Sequence, residues 1–367
     1  MTSTWDAARF AEQIAATIDD VVDGHAARLE PLGPDAALLI DEARALLAGG
    51  KRLRAAFCWW AYAGIAGAAG RGHDELAADE REGLLRACAA LEILHASALV
   101  HDDYMDASAT RRGRPATHVA FADRHRAAGW RGAPETYGAA AAILLGDLLL
   151  TWADELLRRC GLPADRVHAA LDLFDLTRSE VVAGQFLDVS AQAQGGDHPD
   201  PLAAAMQVVR FKSAKYSVER PLHVGAALAG ATQSQLDDLS AYGLPTGEAF
   251  QLRDDLLGVL GDPAVTGKPA GDDLVEGKRT VLVAYAIAQA DAADAASLDE
   301  GLGTALSADE VARLRQIVVD SGAADRVERM IDDLTAQART ALAAAEVDEH
   351  AREVLAELLE ITTQRTS

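Results

Sequence analysis

The sequence is poor in the materials of sheets, disulfide scaffolds and membrane spans. Aromatic residues occupy only 5% of its 367 positions, and Val and Ile seldom alternate with polar residues, so a sheet-based core has little to build on. There is no Asn-Gly, and the one Asp-Gly, Asp23-Gly24, is not flanked by alternating strands. The three cysteines, Cys58, Cys88 and Cys160, are odd in number and form no Cys-x-x-Cys pair. That excludes a disulfide framework and predicts buried, reduced thiols in an intracellular protein. The N-terminus, MTSTWDAARFAEQ, lacks the basic region and apolar stretch of a secretory signal. The most apolar uncharged run, Ala55 to Gly70, falls short of the roughly 20 residues that span a bilayer. The expectation is a cytoplasmic protein with no integral membrane segment and a buried helix in that run. Basic residues are also scarce: 34 Lys+Arg against 57 Asp+Glu leave a formal charge of −23. A surface so acidic repels phosphate backbones and anionic lipid, so no nucleic-acid partner is expected. An anionic substrate would need a local basic cluster or metal ions that override the global field.

What is present is alanine, leucine and helical periodicity, which favour an all-α fold. Short turn-rich stretches interrupt it: Glu30 to Pro34, Gly70 to Asp74, Gly129 to Pro134, Gln192 to Pro201, Gly261 to Gly271 and Ser297 to Ser307. None is long enough to be a linker, no composition shift marks a boundary, and no repeat is visible. A single domain over 1–367 is expected.

Two aspartate clusters stand out. Leu84 to Asp106 contains no proline or glycine, and Leu84, Cys88, Leu91, His95, Leu99, Asp102 and Asp106 recur at helical spacing on one stripe. The stripe turns acidic at its end, where Asp102, Asp103 and Asp106 crowd one turn on the wrong side of the helix dipole. A second apolar helix carries Gln251, Asp254, Asp255 and Gly258 on one side. One Asp-Asp pair in so acidic a chain reads as a solvated helix face. Two such clusters, each embedded in an apolar helix, point instead to hard oxygen ligands for Mg²⁺, completed by phosphate oxygens.

Cations and glycines accompany them: Gly49-Gly50-Lys51-Arg52-Leu53-Arg54, Arg111-Arg112-Gly113-Arg114, Phe211-Lys212-Ser213-Ala214-Lys215, Gly267-Lys268-Pro269 and Gly277-Lys278-Arg279-Thr280. Glycine beside a cation lets backbone and charge approach phosphate together. Each motif alone could be a solvated turn; their coexistence is what matters.

In order and spacing, Gly49 to Arg54, Asp102-Asp103-x-x-Asp106 with Arg111-Arg112-Gly113, Gly184-Gln185-x-x-Asp188, Lys212-Ser213 and Phe250-Gln251-x-x-Asp254-Asp255 resemble the trans-isoprenyl diphosphate synthases. More narrowly, the chain resembles bacterial short-chain enzymes of the geranylgeranyl diphosphate synthase type. The resemblance covers roughly Lys51 to Thr280. It implies a large antiparallel helical bundle around a central cavity, with the two aspartate clusters facing across its mouth, and a homodimer. It also implies three Mg²⁺ ions held by Asp102, Asp106 and Asp254, with Asp103 and Asp255 in support. Arg111, Lys212, Lys268 and Lys278 would hold an allylic diphosphate (dimethylallyl, geranyl or farnesyl). Lys51, Arg54, His95 and Arg112 would hold isopentenyl diphosphate in a metal-free pocket. The implied reaction is head-to-tail condensation through an allylic carbocation, which Gln185, Gln251 and Ser213 would help stabilise. Without the resemblance, His95 reads equally well as a core histidine.

The chain departs from the family's pattern at Ala55, where proline is usual, and at Gly258, where the second cluster lacks its third aspartate; Asp262 is a poor substitute. At about 1.5 Å rise per residue, one turn matches roughly one isoprene unit. Ser97 and Ala98, one turn before Asp102, are therefore the first floor for a growing chain, and both are small; Leu94 and Leu91 lie deeper. A product of about twenty carbons or more is expected. The rival readings are a class I terpene cyclase, a ferritin-like di-iron bundle suggested by Glu92-x-x-His95, and a silent subunit of a heteromeric synthase. The first lacks its Asn/Asp-x-x-Ser-x-x-x-Glu motif here, the second lacks a second Glu-x-x-His, and the third would have lost aspartates or cations that are intact.

Overall fold

The computed structural model describes residues 5–72, 76–262 and 270–364. Among them the only strands are β1 (Thr110–Arg111) and β2 (Arg114–Pro115), an antiparallel pair with Arg111 opposite Arg114. The rest is helix and connection, as the alanine-rich periodicity requires. The contacts divide the chain into two compact units. One comprises Met1–Leu173, Pro221–Thr232 and Val347–Val354, and the other Phe174–Arg220, Gln233–Glu346 and Leu355–Ser367.

In the first unit, α1 (Ala7–Leu29), α2 (Pro34–Leu47), α3 (Leu53–Ala68), α4 (Ala78–Met105), α5 (Thr117–Ala128) and α6 (Pro134–Arg158) are followed by the start of α7 (Ala164–Gln194). Every residue of α3 from Ala55 to Ala66 is buried. A helix that is apolar all round has no solvent face to keep, so it becomes a core helix. The three cysteines are free and buried in this unit. α4 is packed against α6, α1 and α3. It is long and apolar enough to cross a membrane by composition, yet 72% of its most apolar window is buried inside the protein.

The second unit holds the remainder of α7, α8 (Pro201–Val208), a π-helix (Val209–Glu219), the first residue of α9 (Arg220–Ala229), α10 (Gln233–Leu260), α11 (Asp272–Val275), α12 (Val281–Gln289), α13 (Ala292–Gly301), α14 (Ala308–Asp320), α15 (Ala323–Ala344) and the end of α16 (Glu349–Thr363). Its core gathers Leu252, Val259, Leu274, Val281, Leu282, Val318 and Val327, each such burial stabilising by about 1.5–3 kcal/mol relative to exposure. Side-chain caps start its helices where the sequence offers them: Thr280 accepts from the Val283 N–H, and Ser307 with Glu310 forms a capping box.

Two turn-rich stretches are more helical than their composition predicts. α7 runs through Gln194, and α13 continues to Gly301, so the break comes only at Leu302. Glycine is tolerated at a helix end, where the backbone groups it exposes are already without intrahelical partners.

Candidate active site

α4 delivers the first aspartate cluster as its spacing predicts, with Asp106 as the C-cap. Asp102 and Asp106 are half-buried, whereas Asp103 is 1% exposed. Arg111 explains the difference. Its Nε donates to Asp103 Oδ1 at 2.8 Å, its Nη2 bonds the same oxygen, and Nη2 lies 3.8 Å from Asp102 Oδ2. Asp103 therefore anchors a guanidinium, while Asp102 and Asp106 stay half-buried beside it on the same turn.

The β1–β2 hairpin separates Arg111 from Arg112. Arg112 (φ 52°) and Gly113 (φ 74°) are the two positive-φ residues of a tight two-residue hairpin turn. Arg111 lies on the strand and turns to Asp103, while Arg112 sits in the turn and donates to the Leu46 and Ala48 carbonyls at 3.3 and 3.2 Å. Arg52 also has positive φ (53°), uncommon for a branched-free but bulky side chain. It is 5% exposed, donates to the Leu47 carbonyl at 2.6 Å and pairs with Glu92 at 3.5 Å. Glu92 in turn accepts from the Ala55 N–H at 3.2 Å, tying the start of α3 to α4. Glu92, considered above only as half of a di-iron motif, is a strut for the basic loop. Burial holds the His95 imidazole well below its usual pKa, and the Arg54, Arg112, Arg111 and Arg52 charges lower it further. His95 is neutral in a cationic neighbourhood suited to an anion. Of the chain-length residues, Ser97 donates its hydroxyl to the Gly146 carbonyl at 2.7 Å, which fixes it against α6. Ala98 is half-buried, and Leu94 and Leu91 are core residues.

In the second unit, α10 carries Gln251, Asp254 and Asp255. Gln251 donates to Asp255 Oδ1 at 2.7 Å. Burial pushes the Asp255 carboxyl up to about 7, and the Asp273 carboxylate pushes in the same direction. Asp273 was missed by sequence reasoning. Its Oδ2 lies 1.9 Å from where a Cβ on Gly258 would stand, so a carboxylate from α11 occupies the space where the family's third aspartate would begin. A glycine in place of an expected carboxylate was the available signal. Lys278 pairs with Asp273 at 3.4 Å and with Glu276 at 2.5 Å. Lys212 sits on the π-helix beside Ser213 and bonds Asp188 at 2.6 Å. The Gln185 Nε2 is buried with no hydrogen-bond partner among the described residues. Lys268 lies outside the described residues.

Among the described residues no three His, Cys, Asp or Glu side chains converge as a metal cage. Mg²⁺ does not need such a cage, since it keeps waters and takes one or two carboxylates together with substrate phosphate oxygens. The donor set is hard oxygen throughout, and the like-charge pressure on Asp255 is what a divalent cation relieves.

Comparison with known proteins agrees with this chemistry. Residues 37–319 match the polyprenyl synthetase family. The chain is 33% identical over 281 residues to a geranylfarnesyl diphosphate synthase of Aeropyrum pernix, covering 76% of this chain and 81% of that one. It is 35% identical over 211 residues to a geranylgeranyl diphosphate synthase of Sulfolobus acidocaldarius, covering 57% and 58%. A solved geranylgeranyl pyrophosphate synthase from Corynebacterium glutamicum, complexed with isoprenyl diphosphate and magnesium, superimposes with a TM-score of 0.92 at 36% identity, over 98% of this chain and 100% of that one.

Proposed function

The chain belongs to the polyprenyl synthetase family and is a short-chain trans-prenyltransferase, and we propose that its product is geranylgeranyl diphosphate, made from isopentenyl diphosphate and an allylic primer. The observation that carries the product length is Ala98, small and half-buried one turn before Asp102, together with the likeness to geranylgeranyl diphosphate synthases. The alternative, a twenty-five-carbon product, is favoured by the Aeropyrum relative.

Mg²⁺, when bound, neutralises the charge that develops on the departing diphosphate. Asp102, Asp106 and Asp254 are the residues that would hold it, three ions in all. Asp103 keeps Arg111 oriented toward the allylic diphosphate, and Lys212, with Lys268 and Lys278, adds cationic donors. Lys51, Arg54, Arg112 and neutral His95 receive isopentenyl diphosphate without metal. The amide oxygens of Gln185 and Gln251 and the Ser213 hydroxyl supply dipoles to a developing allylic cation. Loss of the proton to the released diphosphate would complete the reaction, so no side-chain nucleophile is required. We also propose a homodimer, for which the exposed apolar pair Ile143 and Leu144 on α6, at 45% and 59%, offers a surface.

Purified protein with isopentenyl diphosphate, each allylic primer in turn and Mg²⁺, with products weighed by mass spectrometry, is the test. A twenty-carbon diphosphate that disappears on chelation is the expected result. Cyclised hydrocarbon, or no turnover with any primer, overturns the reading. Ala98→Phe should shorten the product by about one isoprene unit, since one helical turn rises ~5 Å; an unchanged product would remove Ala98 from the floor.

A further inference from the structure

We propose that Gly184 and Gly247 are positioning residues for Lys212: from α7 and from α10 they hold the π-helix at 209–219 in its widened register. The proposal rests on the reading that Lys212 contacts the allylic diphosphate. Eleven residues, Val209–Glu219, follow i→i+5 bonding, far beyond the single widened turn that usually appears inside an α-helix. VRFKSAKYSVE itself holds no proline or glycine, and Pro221, two residues past its end, frees only the Ser217 carbonyl in the last turn. The widened register around Lys212, more than a turn earlier, is therefore to be sought in the packing.

Two helices press on this segment at backbone distance. A Cβ on Gly184 would stand 2.4 Å from the Lys212 amide nitrogen and 2.7 Å from its Cα. A Cβ on Gly247 would stand 2.5 Å from the Ala214 carbonyl oxygen and 2.6 Å from its Cα. Charged tethers flank both contacts. Glu180, Gly184 and Asp188 share one face of α7 at intervals of four. Glu180 lies 3.7 Å from Lys215, and Asp188 bonds Lys212. On α10, Glu248, next to Gly247, bonds Arg210 at 2.8 Å. The motif Gly184-Gln185-x-x-Asp188 thus divides its labour: Gly184 and Asp188 fix the backbone and the ammonium of Lys212, and Gln185 is left for another task. An α-helical register would rotate Lys212 away from Asp188, because each residue would advance further around the axis.

The test is a double-mutant cycle on Lys212→Ala with Gly247→Ala, and again with Gly184→Ala. It is read as affinity for a non-hydrolysable allylic thiodiphosphate with Mg²⁺ and, separately, for isopentenyl diphosphate. Each single variant should lose about tenfold or more in allylic affinity, the usual scale of a lost hydrogen bond to a charged group, with isopentenyl diphosphate affinity unchanged. The double variant should lose no more than Lys212→Ala alone. Gly225→Ala is the matched control. Its Cβ would meet the Cys58 carbonyl oxygen at 1.9 Å in the first unit, so it should lower the Tm yet leave the ratio of the two affinities unmoved. Losses that multiply in the double variant, or that strike both substrates equally, overturn the proposal. A silent Lys212→Ala would instead overturn the reading of Lys212 as a diphosphate ligand and take the proposal with it. If the alanine variants do not fold, Arg210→Gln, at a side chain 41% exposed, loosens the α10 tether without a clash. Its smaller loss must also vanish in the Lys212→Ala background, and a loss that persists there overturns the clamp.

Discussion

The basic region of the first unit and the acidic region of the second are opposite solutions to crowding like charges. Around His95, burial first and then the charges of four arginines keep the imidazole neutral. Around Asp255, burial and the Asp273 carboxylate raise a buried carboxyl toward neutrality. In both places the fold disfavours a further charge of the sign already gathered there. On the proposed reading the cationic region receives an anion by direct contact, and the acidic region receives a divalent cation that brings an anion with it. The internal struts differ accordingly. Arg52–Glu92 is a buried pair that shapes a cationic loop, while Lys278 tempers an acidic turn through Asp273 and Glu276.

That contrast can be broken from either side. Arg52→Gln strands the Glu92 carboxylate in the core and should cost about 3–5 kcal/mol of stability, the usual penalty for halving a buried pair; urea unfolding would measure it, and a loss under ~1 kcal/mol would show that the pair is dispensable. Asp254→Ala should lower kcat by about 10²–10³-fold while isopentenyl diphosphate affinity holds, since only an electrostatic contribution to the leaving group is removed. An equal fall in isopentenyl diphosphate affinity would dissolve the division between metal-dependent and metal-free binding.

Gly258→Asp restores the family's third aspartate on paper, yet its Cβ would collide with Asp273 Oδ2. It should destabilise by about 1–3 kcal/mol and reduce turnover, and a variant as stable and active as the parent would show that Asp273 is not filling that space. The smallest effect is a pH slope. Because His95 is lowered in the fold, the unfolded chain takes up its proton first as pH falls below about 6.5, and stability is lost from there downward toward the lowered value. His95→Gln should flatten the profile of unfolding free energy, measured by urea titration, as pH falls below about 6.5, by at most ~1.4 kcal/mol per pH unit. A profile that keeps its slope would mean that His95 is protonated in the fold.

Much of this was readable in the sequence. Asp102 and Asp106 share a face because residues four apart on a helix must, and Gln251 reaches Asp255 for the same reason. Arg111 and Arg112 diverge as neighbours do, although the hairpin that separates them was invisible, because Arg-Gly is not a recognised turn pair and Arg112 accepts its positive φ only within the folded loop. The role of Asp103 was only partly visible: spacing put it in the metal cluster, and its burial under Arg111 made it an anchor.

The helical class, the two aspartate helices and the family were settled by the sequence alone, because they depend on local periodicity and on residue types at short, fixed spacings. Three things were decided only by the folded chain: that Glu92 braces Arg52, that Asp273 fills the space above Gly258, and that Lys212 rides on a π-helix squeezed by Gly184 and Gly247. Each joins segments well separated along the chain. No local pattern encodes which backbone will come within contact of which other; packing, with its intolerance of overlap and of unmatched charge, makes that choice.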